Sequence, residues 1–365
     1  MSDIDLCIVG PAGRDTGGIA RYVAEHSRIL PERVRPRVYD IATPRDAGMA
    51  ASVLVALADA ARFPFRRRPD VVHVHTSHYR SFYLSAFYIF VAALLWRRPV
   101  VCHVHGSSFD EFAATDSPAL AGLQAAVFAA SDRVVVLSDY WADALAHRVD
   151  DHTLVVLPNA IDPDGYDPQF DPDPPHVAFV SNHIERKGLP ELTTALADLL
   201  DDGHEFEVTI AGSGPLSGHA EELAAAYDSV SDTGYVSEAE KRELLSRASI
   251  YALPTYAEGL PIALLEGMAG GNALVSTRVG SIPDIVDDRN GELVRPGDVS
   301  ALRDALERLV TDPARVERVA RTNRELVETT YSWDRAAERL TSLYVGLCDD
   351  GETSADTRPD AVVTD

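Results

Sequence analysis

The sequence predicts an α/β protein built of two Rossmann-like domains facing each other across a cleft. Three observations carry this. At 365 residues the chain exceeds one ordinary domain and suits two. Short Val- and Ile-rich runs alternate with helical patterns, which is how βαβ units on a parallel sheet read. The alternation breaks once, at "PNAIDPDGYDPQFDPDPPH" (158–176), where dense Pro and Asp suit neither helix nor strand.

In the first domain (1–160), strands are expected at "LCIVG", "VRPRVYDIA" (34–42), "VVHVH", "VVCHVH", "RVVVLS" and "TLVVLP", each followed by a helical stretch. Residues 161–175 read as a linker. The second domain (176–331) restarts the pattern with "VAFVSN", "FEVTIAG", "IYALPT" and "NALVST". The most apolar segment, "SFYLSAFYIFVAALLW" (81–96), is shorter than the roughly 20 residues of a membrane span and reads as a buried helix. The last residues, 349–365, are polar and read as a disordered tail.

Charge separates the halves. The chain holds 33 basic and 57 acidic residues, a net charge of −24. Residues 1–150 are balanced at 16 of each sign, so the whole excess lies beyond them. Only Lys187 and Lys241 are lysines, and every other basic residue is Arg. Many acids with almost no Lys reads as a halophilic surface, where screening tames self-repulsion. Such a balance argues against binding a nucleic-acid backbone. Cys7, Cys102 and Cys348 are too few and too scattered for a disulfide framework and fit a reducing, cytoplasmic setting. No signal peptide is read at the start, where Asp3 and Asp5 precede a short strand.

Two glycine turns follow predicted strands. In "GPAGRDTGGIARY" (10–22), Gly17 and Gly18 would let amides at a helix N-terminus approach a phosphate. Ile19 stands where a Walker A loop needs Lys, so this is no P-loop. "AGSGPLSG" (211–218) is the second. Each serves a tight turn as readily as a ligand.

The stretch "YAEGLPIALLEGM" (256–268) is more pointed. Pro261 suits the first turn of a helix that runs until Gly270 and Gly271 stop it. Glu258 then lies in the preceding loop and Glu266 in the second turn. Amides around Gly259, Leu260 and Ile262 would attract an anion, with a carboxylate on each side to hold hydroxyls. The plain alternative makes Glu258 a dipole-compensating acid and Glu266 a solvated helix residue.

The surrounding residues resemble retaining glycosyltransferase family 4. Its E-x₇-E hallmark is met by Glu258 and Glu266, and a G-G-x-P-E-like element by "VGSIPDIV". Further matches are Gly17–Gly18, "HVHG" (103–106), "VLPNAID" (156–162), "ERKG" (185–188), "AGSGP" (211–215), "GYVSEAEKRELL" (234–245) and "YSWDRAAERLTSLY" (331–344). The resemblance implies the GT-B fold. It places the nucleotide-sugar donor on the second domain, the acceptor mostly on the first, and a last helix, about 332–348, that returns to the first domain. It implies that Glu266 holds ribose hydroxyls, Glu258 the transferred sugar, and the amides of Leu260 and Ile262 the phosphates. Lys187 would neutralise the diphosphate, Gly18 would approach the same phosphates, and His105 would contact the donor sugar. Tyr235 and Val236 lie where the base is held. Where the family pairs the lysine with an Arg, this chain has Asn182, so either Arg186 supplies the second positive charge or the diphosphate is held more weakly.

The implied reaction is transfer of a hexose from a nucleotide diphosphate sugar to an acceptor hydroxyl with retention. The leaving phosphate helps take the proton, and neither cofactor nor metal is needed. The Asp-x-Asp pairs at 162–164 and 171–173 read as solvated charge. Two rivals share the fold: a nucleotide-sugar epimerase, and a non-catalytic nucleotide- or glycan-binding module. Clusters of Arg with aromatic residues at 61–70, 78–90 and 96–98 suit a membrane interface. A lipid-linked or membrane-presented glycan is therefore the expected acceptor, with peripheral contact on the inner face of the membrane.

Overall fold

The computed structural model describes residues 3–12, 18–41, 49–170 and 173–356. The chain forms two compact units, one of Met1–Leu157 with Ala336–Asp365 and one of Pro158–Arg335.

The first unit has a six-stranded parallel sheet: β1 (Ile4–Gly10), β2 (Val34–Asp40), β3 (Val71–Thr76), β4 (Val100–Val104), β5 (Arg133–Val136) and β6 (Leu154–Val156), in the order β2-β1-β3-β4-β5-β6. All six were read from the sequence, five of them as apolar runs, while β2 is an edge strand that carries Arg35, Pro36, Arg37 and Asp40. β3 and β4 are buried along their whole length, as central parallel strands covered on both faces are. The last helix, Trp333–Asp356, returns to this sheet, and its Leu340, Tyr344 and Leu347 pack with Leu6, Ile8, Val71 and Val101. The helix runs to Asp356, so the expected end near residue 348 is corrected, and residues 357–365 lie outside the described residues. Segment 81–96 is a helix, Arg80–Phe90, continued by a wider π-type turn, Val91–Trp96. Phe82, Tyr88, Ile89 and Trp96 are buried in it. Among the described residues no helix is long and apolar enough to cross a membrane.

The second unit repeats the plan with β7 (His176–Val180), β8 (Glu207–Ala211), β9 (Val230–Gly234), β10 (Ile250–Leu253), β11 (Ala273–Thr277) and β12 (Gly291–Val294), ordered β12-β11-β10-β7-β8-β9. β9 and β12 escaped the sequence reading, and they are the two edges of the sheet. An edge strand has one flank in water, so β9, "VSDTG", alternates buried and exposed positions instead of showing an apolar run.

Of residues 161–175, expected as a linker, those up to 170 are a packed part of this unit. Tyr166 is buried, the Gln169 amide donates to Ser246 O at 2.8 Å, and Arg324 donates to Pro163 O at 2.9 Å. Pro and Asp excluded regular structure but not docking by backbone hydrogen bonds. Asp162 caps the short turn Pro163–Gly165 through the Asp164 amide at 3.2 Å. Of the second Asp pair, Asp171 lies outside the described residues.

The order of strands reverses between β7 and β10, from which successive strands are added toward opposite edges of the parallel sheet. Ligands of open α/β sheets sit beyond the carboxyl ends of strands at such a switch point. Lys187 follows β7, Tyr235 follows β9 and Glu258 follows β10.

Candidate active site

After β7 the chain makes a short 3-10 turn, Glu185–Lys187, ended by Gly188 at φ +72°. A Cβ on Gly188 would stand 2.0 Å from Pro254 O, so only glycine lets this turn lie against the loop after β10. Two bonds then fasten the segments: the Tyr256 amide and the Thr255 hydroxyl both donate to Arg186 O, each at 2.8 Å. The result sets Lys187 beside Glu258.

Lys187 Nζ donates to Glu258 Oε1, and both side chains are buried. Arg186 reaches the same oxygen at 3.2 Å and the Ala257 carbonyl at 2.6 Å. The Thr255 hydroxyl lies 3.3 Å from that oxygen. Arg186 thus supplies the second positive charge next to Lys187, while Asn182 is exposed in the loop after β7. Beneath Glu258 sits Gly280 of "VGSIPDIV", where a Cβ would come within 2.1 Å of Glu258 O.

The helix Ile262–Ala269 starts one residue later than expected, with Pro261 as its N-cap. The amides of Leu260 and Ile262 donate to no group among the described residues, which leaves two N–H groups at a positive helix end. Asn159 holds this loop by donating to Leu260 O at 2.6 Å. Glu266, in the second turn, is buried rather than solvated. Lys241, on the helix Glu238–Arg247, donates to it at 2.6 Å and lies 3.0 Å from Glu238. Burial, with Glu266 and Glu258 adding to it, pushes the Tyr251 phenol well above its ordinary range.

The structure therefore brings Lys187, Arg186, Glu258, Gly259, Leu260, Ile262 and Glu266 onto neighbouring loops of one sheet end. Tyr235 (82% exposed) and Val236 follow β9 at the same end. The sequence reading missed Lys241, Thr255 and Asn159. One signal was available: both lysines of the chain pair with the two glutamates of the E-x₇-E motif.

The first unit holds the other expected site residues. Gly18 opens the helix Gly18–Ile29 and is exposed, and Gly17 lies outside the described residues. His105, just past β4, is buried in a cluster. Its Nε2 is 2.9 Å from His75 Nδ1, and His75 Nε2 is 3.1 Å from His26 Nδ1. His26 Nε2 and His73 Nδ1 each stand 2.7 Å from the Tyr344 hydroxyl, and His73 Nε2 is 3.1 Å from His103 Nδ1. Burial, with neighbouring rings adding to it for all but His105, lowers all five: His26 and His105 fall to about 3, the others well below the usual value.

Residues 4–160 match the family described as glycosyl transferase 4-like domain, and residues 174–312 match glycosyl transferases group 1. The chain belongs to the group 1 glycosyltransferases. Among curated relatives, it is 32% identical over 181 residues to an alpha-D-kanosaminyltransferase of Streptomyces kanamyceticus, 48% of this chain and 47% of that one. It is 29% identical over 260 residues to an alpha-maltose-1-phosphate synthase of Mycobacterium tuberculosis, 62% of this chain and 65% of that one. The chain spans about half the length of the curated relatives it matches. Among solved structures, a sucrose-phosphate synthase of Thermosynechococcus elongatus gives a TM-score of 0.74 at 18% identity, covering 94% of this chain and 99% of that one. HepE of Anabaena, in complex with UDP and glucose, gives 0.72 at 14% identity, covering 94% and 100%. The fold of this group 1 glycosyltransferase is GT-B.

Proposed function

We propose that this protein transfers a hexose from a nucleotide diphosphate sugar to an acceptor hydroxyl of a growing glycan, with retention at the anomeric carbon. The observation that carries the reading is the pair of buried Lys–Glu contacts flanking the undonated amides of Leu260 and Ile262. Lys187, Arg186 and those amides are cations and donors suited to charge that develops on a leaving diphosphate. Glu258 and Glu266 keep acceptor oxygens for sugar and ribose hydroxyls. His105, held neutral, would contact the donor sugar. Such a clamp needs no metal at the diphosphate and no cofactor beyond the donor itself.

Calorimetric titration with UDP- and GDP-sugars tests the donor site. Binding should be tenfold to a hundredfold weaker in Glu266→Ala, and an unchanged affinity would overturn the assignment. Incubation with a bound donor but no acceptor separates a transferase from an epimerase or a binding module. A transferase hydrolyses the donor slowly, an epimerase inverts its sugar, and a binding module does neither. The anomeric configuration of the product, read by NMR, tests retention.

The acceptor proposed is lipid-linked or membrane-presented. Supporting it, the first unit exposes Phe65 (89%), Leu94 (69%) and Leu95 (55%) beside exposed Arg66, Arg67, Arg68, Arg97 and Arg98. Trp96 ties the two segments by donating to Pro64 O at 3.1 Å. Phe63 and Trp96 are core residues, so only part of the aromatic cluster is available to lipid. Each arginine near an anionic surface contributes about 1 kcal/mol at moderate salt. Phe65→Ser with Leu94→Ser and Leu95→Ser should abolish co-sedimentation with anionic vesicles. Wild-type protein that stays in the supernatant would rule the surface out.

A further inference from the structure

The five histidines of the first unit do more than surround His105. They form a chain of contacts from His105 through His75, His26, Tyr344 and His73 to His103, whose Nε2 is buried with no partner. Four of the rings are no more than 1% exposed and His105 is 6% exposed. One ring nitrogen of each of His75, His103 and His105 lies within 4.8 Å of those of the other two.

A neutral imidazole carries one N–H and one bare nitrogen. Place the protons on His75 Nε2, His103 Nδ1 and His105 Nδ1. His75 then donates to His26 and His26 to Tyr344, while His103 donates to His73 and His73 to the same Tyr344 oxygen. Both branches converge on one hydroxyl, which has two lone pairs to accept them. What remains is three bare nitrogens: His75 Nδ1, His105 Nε2 and His103 Nε2. With this placement of protons the 2.9 Å contact of His75 Nδ1 with His105 Nε2, otherwise an N–H···N hydrogen bond, becomes a pair of bare nitrogens that a cation can bridge.

We propose that His75, His103 and His105 form a trihistidine site for a late first-row divalent ion such as Zn²⁺, oriented by His26, His73 and Tyr344. Imidazole suits this class of ion, and three protein nitrogens leave a fourth position for water beside His105, the least buried of the five rings. The two ligands with a mapped far nitrogen, His75 and His103, hand its proton to another buried ring, the arrangement that fixes tautomer and aim in metal centres. Zn–N bonds of about 2.0–2.1 Å at tetrahedral angles separate nitrogens by roughly 3.3 Å, so His75 and His105 open by a few tenths of an ångström and His103, within 4.8 Å of both, moves to the same spacing. The ion would pin the helix Gly18–Ile29, β3, β4 and the last helix together, and it does not depend on the transfer chemistry proposed above.

Zinc sulfate is titrated into chelator-treated full-length protein by calorimetry, with bound metal counted after gel filtration. One equivalent is expected at pH 7.5. His103→Asn should lose the equivalent, and Tyr344→Phe, which keeps all three ligands, should bind 10- to 100-fold more weakly. His105→Asn, at the least buried of the five rings, repeats the test if His103→Asn does not fold. No stoichiometric zinc, or equal binding by the wild type and the folded histidine variant, overturns the site.

Discussion

Each unit buries a polar cluster, and they do so in opposite ways. The first unit sinks five imidazoles into its core as neutral rings. The second keeps Lys187–Glu258 and Lys241–Glu266 as ion pairs at the ends of its strands. A histidine can escape the cost of desolvation by shedding its proton near neutral pH, whereas lysine with glutamate meets that cost by pairing. Neutral rings suit a dry interior, and ion pairs are poised to exchange partners when a charged ligand arrives.

Acid should break the comparison most strongly. The five histidines have folded pKa values below their ordinary 6.5, so below that pH the unfolded chain binds more protons than the folded one. Their contribution is complete above about pH 6.5 and declines as pH falls toward 3. Each group that binds a proton only on unfolding lowers stability by up to about 1.4 kcal/mol per pH unit below its ordinary range. Calorimetric melting of metal-free protein between pH 7.5 and 5 should lose the first unit's transition before the second's. His26→Gln should flatten the dependence.

The next effect concerns the charged cluster. Lys187→Ala should reduce turnover by about 10²–10³-fold, the loss typical of one preorganised donor to developing charge. Added Mg²⁺ or Mn²⁺ should not change the wild-type rate, and strict dependence on either would contradict a fixed ammonium at the diphosphate.

Lys241→Met leaves Glu266 buried without its ammonium, which should cost about 3 kcal/mol or more in urea unfolding. Adding Glu266→Gln should restore much of that stability without restoring donor affinity, which separates the pair's structural part from its ligand-binding part. Smaller losses follow from the glutamates singly. Hydrogen bonds to charged groups are worth roughly 1.5–3 kcal/mol, so Glu258→Ala should lower turnover and Glu266→Ala raise the donor KM, each about ten- to a hundredfold. Unchanged kinetics in both variants would remove the clamp.

Much of this was legible in the residues. Ten of the twelve strands were read from the sequence, most plainly the central ones such as β3 and β4, because strands covered on both faces need unbroken Val and Ile. β9 and β12 were not, since an edge in contact with water needs no such run. The E-x₇-E motif marked Glu258 and Glu266 through the spacing of a loop and one helical turn. Lys241 went unnoticed because 25 residues and a strand separate it from Glu266.

By itself, the sequence determined the two α/β units, which follow from local periodicity and caps, and its resemblance to a known family singled out the two glutamates. Only the tertiary structure decided partners. Lys241 with Glu266, Arg186 with Glu258, Tyr344 with His26 and His73, and the packing of residues 158–170 all join segments distant in sequence. Such contacts form when sheets and helices bury their apolar faces, and polar groups carried inward with them must find whichever neighbour the packing presents.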